Sequence, residues 1–502
     1  MQVSASRLQS ALRRCWPNLT MPESTGDAAL RLVLDSRLVV PGDVFVAVPG
    51  VSGDGRRYLA QALQAGAVQV LYHLEPGESL PATAAGQPVL GLPFLRQRLG
   101  ELGQSLYDVP ETLELIGVTG TNGKSSVTHY LAELSAALGH DAGVVGTLGV
   151  GRPGELTDTG LTTPGPLMLQ AALGEMAASG IGRVAMEVSS HALEQDRLDG
   201  CRVTAAVFTN LTRDHLDYHG SMAAYAAAKA RLFRRSELEL AVVNADDSLA
   251  RLMLAGLPDG VRVLAVGDDS AATLRVVDWR PGTSGQLALI ATPEGEHSLE
   301  LPLMGRFNLD NVLLAIATLY GLGESLEALF AAASGLTPVP GRMQRFGSAG
   351  MPTVIVDYAH TPGALENALG ALRQHLPGNG KLWCLFGCGG DRDSGKRPLM
   401  AAAAERYADR LVITDDNPRS EDPAEIRQQI LAGVSAEARQ RSEVVAGRSA
   451  AIARTIAQAE VNDVVLIAGK GHEGYQEIAG VRHPFSDVAE SESALARREA
   501  GQ

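Results

Sequence analysis

A chain of 502 residues is too long for one ordinary core and suggests about three domains. Hydrophobic residues at 45% and charged residues at 20% make an ordinary globular composition, and the formal net charge of -14 argues against nonspecific nucleic-acid binding. An anionic ligand must then be met locally, by Arg, Lys, a metal or helix N-termini.

Cys15, Cys201, Cys384 and Cys388 are too few and too scattered for a disulfide scaffold. Cys384 and Cys388 lack the second pair that a zinc site needs and are expected as buried small hydrophobes. No stretch reaches the roughly 20 apolar residues of a membrane-spanning helix. Residues 4–17, with Arg7, Arg13 and Arg14, read as an amphipathic helix rather than a signal peptide. A cytoplasmic protein without membrane insertion is expected.

The first region, residues 1–107, holds short apolar segments at 44–48 and 68–72 between Gly and Pro turns, and reads as a small α/β domain. The second, 108–337, opens with an apolar strand at 114–118 that enters a Gly-rich turn. Helix-like and strand-like patterns then alternate at 127–138, 143–148, 167–178, 184–188 and 205–209, which predicts a parallel sheet with crossover helices. Strand-like runs at 274–277 and 287–291 predict an antiparallel insertion or edge. The Pro-rich stretch 336–342 reads as a linker. The third region, 338–502, repeats the strand–helix alternation at 353–356, 365–372, 382–387, 411–414 and 463–468. The predicted class is α/β in three domains, with a mostly parallel central sheet.

Residues 117–126 read GVTGTNGKSS between a strand and a helix. Glycines let backbone N–H groups converge on phosphate oxygens, and the helix N-terminus adds its positive end. Gly120, Thr121, Asn122, Gly123, Lys124, Ser125 and Ser126 are the candidate ATP loop, with Lys124 set against the β and γ phosphates and the Ser125 hydroxyl on Mg²⁺. Position 118 is Val where the general loop has its first Gly. The plainer alternative is a Gly-rich turn that only caps a helix. The loop alone names no reaction.

Glu187 ends a strand beside this loop, where a carboxylate can bind Mg²⁺ directly or through water. Residues 209–220, TNLTRDHLDYHG, pack Arg213, Asp214, His215, Asp217 and His219 into one short loop, to be weighed against a merely solvated turn. In the Ala-rich helix that follows, Lys229 on its own reads as a solvent-facing lysine.

Taken with TTPGP (162–166), EVSSHAL (187–193), AKARLF (228–233), GRFNLDN (305–311), PGR (340–342), DYAHTP (357–362), GCGGDRDSGKRP (387–398), DNPRSEDP (416–423) and GKGHE (469–473), these strings resemble the Mur ligases in order along the whole chain. The resemblance implies a uridine-nucleotide-binding domain (1–107), a central P-loop ATPase domain (108–337) and a Rossmann-like amino-acid-binding domain (338–502). It implies ATP and Mg²⁺, and an acyl-phosphate route that adds an amino acid to UDP-N-acetylmuramoyl-L-alanyl-D-glutamate. By resemblance Lys124, Glu187, His215 and Lys229 are catalytic, and Lys229 is carbamylated. Ser125, Glu187, His215 and Lys229 are the implied metal group. Leu34, Ser36, Val51, Ser52, Gly53, Thr162, Thr163, Ser189, Gln195 and Arg197 are implied contacts to the uridine-linked substrate. Asn308, Asn311, Arg342, Asp357 and His360 are implied around adenine and ribose.

The string 416–419, DNPR, points to meso-diaminopimelate as the amino acid. Its far end carries a carboxylate that lysine lacks, and the guanidinium of Arg419 can grip it bidentately. Asp416 and Asn417 are then available to the distal ammonium, and Pro418 lies between. By resemblance Arg392, Gly469 and Glu473 complete the pocket. Ser420, Asp422 and Pro423 also read as a helix start. The competing readings are a folylpolyglutamate synthetase, a P-loop regulatory or transport ATPase, and a nonenzymatic nucleotide-binding module.

Overall fold

The computed structural model describes residues 2–19, 28–50 and 53–501. The chain forms two compact units, Met1–Leu264 and Ala265–Gln502.

The first unit begins with a five-stranded sheet. Gln2–Ser4 runs antiparallel to Ala29–Val33, and Val44–Ala47, Gln69–Leu74 and Val89–Pro93 follow in parallel. Side chains alternate across the pleat. Val44 and Val46 meet Leu8, Leu12, Leu102 and Leu106 on one face, while Phe45 and Ala47 meet Leu59 and Ala62 on the other. Covering both faces is the usual condition of a parallel sheet. The expected N-terminal helix is Ala5–Cys15, capped by Ser4.

The same unit holds five parallel strands in the order Leu240–Asn244, Val203–Phe208, Glu114–Thr119, Arg183–Glu187 and Ala142–Gly146, with Gly149–Gly151 antiparallel at the edge. The strands Glu114–Thr119, Arg183–Glu187 and Val203–Phe208 sit side by side and buried, so their C-terminal ends bring the phosphate loop, Glu187 and the 209–220 segment to one rim.

In the second unit Leu274–Pro281, Gln286–Thr292 and Gly295–Leu301 form an antiparallel ribbon; the sequence predicts its first two strands, and the third is added by the structure. Residues 336–342 lack regular structure, and Leu336 and Val339 are buried. A six-stranded sheet follows in the order Gln344–Phe346, Thr353–Asp357, Val464–Ala468, Leu382–Phe386, Arg410–Ile413 and Ser442–Val444, parallel except for its first strand. Pro362–His375, Lys396–Tyr407 and Pro423–Ala432 cover one face, and Arg448–Gln458 and Asp487–Glu499 the other. Asp422 caps the helix Pro423–Ala432, with Pro423 in its first turn, which matches the expected start. A hairpin of Tyr475–Ile478 and Val481–Pro484 has no counterpart in the sequence reading. All four cysteines are free and buried.

Candidate active site

The strand Glu114–Thr119 ends in the loop 120–123, and the helix Lys124–Ala137 starts at Gly123. Gly120 has φ +151°, and a Cβ there would stand 1.9 Å from the Thr209 hydroxyl, so only glycine lets the loop pass. The neighbouring strand end fixes the loop. Thr121 N donates to Asn210 O at 2.8 Å, Asn122 N to Asn210 Oδ1 at 3.0 Å, and Thr209 Oγ1 to Asn122 O at 2.6 Å. Ser125 and Ser126 are buried in the first helical turn. Loop and helix start are thus held before any anion arrives.

Lys124 Nζ donates to Gly120 O and Thr121 O at 3.0 and 2.8 Å. Lys229 Nζ donates to Gly120 O at 2.7 Å and lies 4.6 Å from the centroid of the Tyr225 ring. Lys229 is 1% exposed, which overturns the solvent-facing expectation. Tyr225, Ala226, Lys229 and Ala230 form the inward stripe of the helix Met222–Ala230, and an Ala-rich sequence does not mark that stripe. Burial, then the charge of Lys124, push the Lys229 pKa well below its ordinary value. A neutral amine there is a nucleophile.

Glu187 is 1% exposed and has no ion pair among the described residues. Its Oε1 accepts from Thr147 N at 2.9 Å and its Oε2 from Thr147 Oγ1 at 3.2 Å. A Cβ on Gly146 would lie 2.3 Å from Glu187 Oε1, so that glycine makes room for the carboxylate. His215 sits at φ +52° beside Asp214, and burial lowers its pKa, which favours a neutral imidazole able to bind a cation. The His191 ring lies 5.0 Å from that of His215 and 4.1 Å from that of Tyr218. His219 is held between Ser190 Oγ at 2.9 Å and Glu194 Oε2 at 3.2 Å. Arg213 and Asp217 are exposed, and the His215 side chain itself is 47% exposed, so the loop is part site and part surface.

Thr163 Oγ1 donates to Glu187 O at 2.8 Å and accepts from Ser189 N at 3.1 Å, while Ser189 Oγ caps its own short helix. Thr162 Oγ1 lies 3.0 Å from Thr147 Oγ1. Arg197 Nη1 donates to Thr163 O at 2.7 Å, and its Nε and Nη2 donate to Gln195 Oε1 at 3.1 and 2.8 Å. With no carboxylate partner among the described residues, the half-buried Arg197 is suited to an anion. Leu34 and Ser36 follow a strand of the N-terminal sheet, apart from these groups in the chain. Leu34 is exposed, and Ser36 is buried against Gln61 at 3.4 Å. Gly53 O accepts from Gly50 N at 2.7 Å, and Val51 and Ser52 lie outside the described residues.

In the second unit, Asn308 and Asn311 are buried in the helix Arg306–Gly321, and Asn308 Nδ2 donates to Met304 O at 2.8 Å. Asp357 accepts from Met343 N and Ala359 N, both at 2.8 Å, and burial raises its pKa. The Arg342 guanidinium lies 4.4 Å from the centroid of the Tyr358 ring, and His360 donates to Tyr358 O at 2.9 Å.

The DNPR segment lies against the hairpin. Arg419, at φ +52°, donates from its backbone to Glu477 O at 3.0 Å and accepts from Ala479 N at 2.7 Å. Its Nη1 donates to Gly390 O at 2.7 Å, and its Nε is 3.7 Å from Glu477 Oε2. Asp416 O accepts from Gln476 Nε2 at 2.5 Å, and Asp416 Oδ2 lies 2.7 Å from where a Cβ on Gly469 would be. Asn417 Nδ2 donates to Glu473 Oε2 at 2.9 Å. Asn417 Oδ1 already accepts from Lys470 Nζ at 3.0 Å and Glu477 N at 2.9 Å, so its carbonyl is not the open ammonium acceptor that the sequence suggests. The structure groups Asp416, Asn417, Pro418, Arg419, Gly469 and Glu473, and leaves Arg392 exposed near Gly389. Sequence reasoning missed Thr147, Tyr225, Lys470, Gln476 and Glu477. Lys470 stood inside the string 469–473 without a role, Tyr225, Gln476 and Glu477 lay within a few residues of strings already singled out, and nothing marked Thr147.

Two family models match the chain, the Mur ligase middle domain over residues 118–319 and the Mur ligase, glutamate ligase domain over residues 341–471. A Pseudomonas syringae pv. tomato protein named UDP-N-acetylmuramoyl-L-alanyl-D-glutamate--2,6-diaminopimelate ligase is 50% identical over 468 residues, 93% of this chain and 94% of that protein. A protein of the same name from Pseudomonas aeruginosa is 49% identical over 481 residues, covering 95% and 98%. A solved structure with that name has a TM-score of 0.71 and 37% identity, covering 99% of this chain and 100% of its own.

Proposed function

This chain belongs to the Mur ligase family, and from that premise we propose that it joins meso-diaminopimelate to the D-glutamate carboxylate of UDP-N-acetylmuramoyl-L-alanyl-D-glutamate, at the expense of ATP. This is a step in making peptidoglycan precursors. A substrate carboxylate oxygen attacks the γ-phosphorus, the new O–P bond forms and ADP leaves. The amine nitrogen then attacks the acyl carbon, loses its proton, and phosphate leaves as the amide forms. The first step brings two anions together. The cation of Lys124 and the positive N-terminal end of the helix Lys124–Ala137 lower that repulsion. Arg197, half-buried without a carboxylate partner, is assigned to an anionic group of the uridine-linked substrate.

Mg²⁺ fits the residues present. Glu187 is a buried carboxylate without a basic partner, and a buried charge of that kind calls for a cation. Among the described residues no three His, Cys, Asp or Glu side chains converge as a complete metal cage, which suits an ion held partly by phosphate oxygens. Glu187, Ser125, His215 and a carbamylated Lys229 would hold it, and it would supply charge neutralisation at the phosphates. Asn308, Asn311, Arg342, Asp357 and His360 are assigned to the rest of ATP.

The observation that carries the choice of amino acid is that Asp416 and Arg419 belong to one segment whose Asn417 donates to Glu473 Oε2 at 2.9 Å, so a guanidinium and two carboxylates are grouped locally. Opposite charges grouped in this way suit a zwitterionic end better than the lone ammonium of lysine. The test is a panel of amino acids supplied with ATP and the uridine-linked dipeptide, with product mass as the readout. A single new amide with meso-diaminopimelate and little with lysine is expected. Phosphate release independent of any amino acid would overturn the reading.

A further inference from the structure

Lys470 has no role in the chemistry above, yet its side chain is fully buried, at 0% exposure, against two of the groups assigned to the amino acid. Its Nζ donates to Asn417 Oδ1 at 3.0 Å and to Glu473 Oε2 at 2.8 Å, and lies 5.6 Å from the centroid of the Tyr475 ring. Burying an ammonium is costly unless hydrogen-bonded partners compensate it. Here the partners are two of the groups assigned to the substrate.

The consequences for those groups are specific. Asn417 Oδ1 takes two donors, Lys470 Nζ and Glu477 N, and Asn417 Nδ2 donates to Glu473 Oε2 at 2.9 Å. A flipped amide would aim its NH₂ at an ammonium and at a backbone N–H, so one orientation is enforced. Glu473 Oε2 takes two donors, from Lys470 and Asn417, and no hydrogen bond to Oε1 is present among the described residues. The Glu473 carboxylate is thereby held with one oxygen engaged and the other available.

We propose that Lys470 is a positioning residue for amino-acid selection: it fixes the Asn417 amide and the Glu473 carboxylate in the orientation that receives diaminopimelate. The inference rests on the ligase reading above and adds to it a residue that does not touch the reacting atoms. Lys470 acts before substrate arrives, because a pre-set polar wall loses less freedom on binding than a mobile one.

Lys470→Met removes the charge and both donors, and Lys470→Gln keeps two N–H donors without the charge. For each, KM is measured for meso-diaminopimelate, ATP and the uridine-linked substrate, beside a thermal melt. Hydroxylamine trapping of the acyl phosphate, without amino acid, reads the first step alone. Lys470→Met is expected to raise the diaminopimelate KM by about 10- to 100-fold. The other two KM values and the hydroxamate yield stay within about threefold of wild type, and Lys470→Gln recovers part of the loss. A diaminopimelate KM within about threefold of wild type, or an equal rise in the KM for ATP, overturns the proposal. If Lys470→Met does not fold, Lys470→Gln decides by the same criteria. A wild-type enzyme that traps hydroxamate but makes no amide with diaminopimelate takes down the ligase reading, and this proposal with it. An active wild type with indifferent Lys470 variants removes the proposal alone.

Discussion

Lys124 and Lys229 share one acceptor: both side-chain nitrogens donate to the carbonyl oxygen of Gly120, at 3.0 and 2.7 Å. Two full positive charges that close in a buried setting repel strongly, and only Lys124 keeps a second carbonyl, that of Thr121. Burial and the neighbouring Lys124 charge push the Lys229 pKa well below its ordinary value.

A neutral Lys229 nitrogen can add to the carbon of CO₂, lose a proton and become a carbamate anion. The repulsion with Lys124 then becomes attraction. Protein equilibrated with ¹³C-bicarbonate is expected to show one carbamate carbon resonance that is absent from Lys229→Met. No such resonance at neutral or mildly alkaline pH would remove Lys229 from the implied metal group.

The same burial sets a stability trend in CO₂-depleted buffer. The unfolded lysine titrates near its ordinary value of about 10.4, and the folded one far lower, so the unfolded state binds the extra proton between the two. The penalty is absent above the unfolded pKa and grows as pH falls toward the folded one. Lys229→Met is therefore expected to melt higher than wild type at pH 7 and to lose that advantage near pH 10.5. Melting curves across this range check it, and an advantage that grows with pH would contradict the assignment.

Gly146 is expected to control Glu187. A methyl group there would stand 2.3 Å from Glu187 Oε1 and 2.9 Å from its Cγ, so Gly146→Ala must drive the carboxylate off the Thr147 N–H and hydroxyl. Overpacking of this kind costs about 1–3 kcal/mol. If Glu187 helps hold the metal, half-maximal activity will need roughly tenfold more Mg²⁺, a loss of about 1.4 kcal/mol. An unchanged magnesium titration would leave Glu187 a structural carboxylate bound to Thr147.

Strand and helix alternation was legible because hydrophobic period and length separate the two. The first two strands of the antiparallel ribbon stood out as strand-like runs at 274–277 and 287–291, while the third, Gly295–Leu301, did not. The phosphate loop and the start of the helix Pro423–Ala432 were legible because glycines and caps act locally. Lys229 was not, since an Ala-rich helix carries no contrast between its faces and only the fold decides which way it turns. Asn417 was misread for a related reason. Its residue type offers both an acceptor and a donor, and which one is spent depends on Lys470 and Glu477, which are more than fifty residues away in the chain.

Arg419 is anchored by the Gly390 carbonyl and by backbone bonds to the hairpin, so its guanidinium is aimed before substrate binds. Arg419→Lys keeps a charge but loses the fork that matches a carboxylate. The KM for diaminopimelate is expected to rise at least about 30-fold, the low end of the roughly 2–5 kcal/mol for losing a desolvated charge contact. ATP kinetics should change little. Unchanged amino-acid kinetics would end the assignment of the distal carboxylate to Arg419.

Arg448 and Asp487 form an ion pair with both side chains at 0% exposure, at 2.6 and 2.7 Å. The guanidinium also donates to Ala468 O at 2.9 Å and Asp415 O at 3.3 Å, the residues just before Gly469 and Asp416 of the amino-acid pocket. Removing one partner strands the other charge in the core at about 3–5 kcal/mol. Asp487→Ala should therefore lower the melting temperature sharply. Arg448→Met with Asp487→Leu should recover much of the stability, because no charge is left unpaired. The double variant still lacks the two bonds to the strand ends. Its diaminopimelate KM is expected to remain raised while its melting temperature approaches wild type. Full recovery of both would show that the pair holds the fold and does nothing for the pocket.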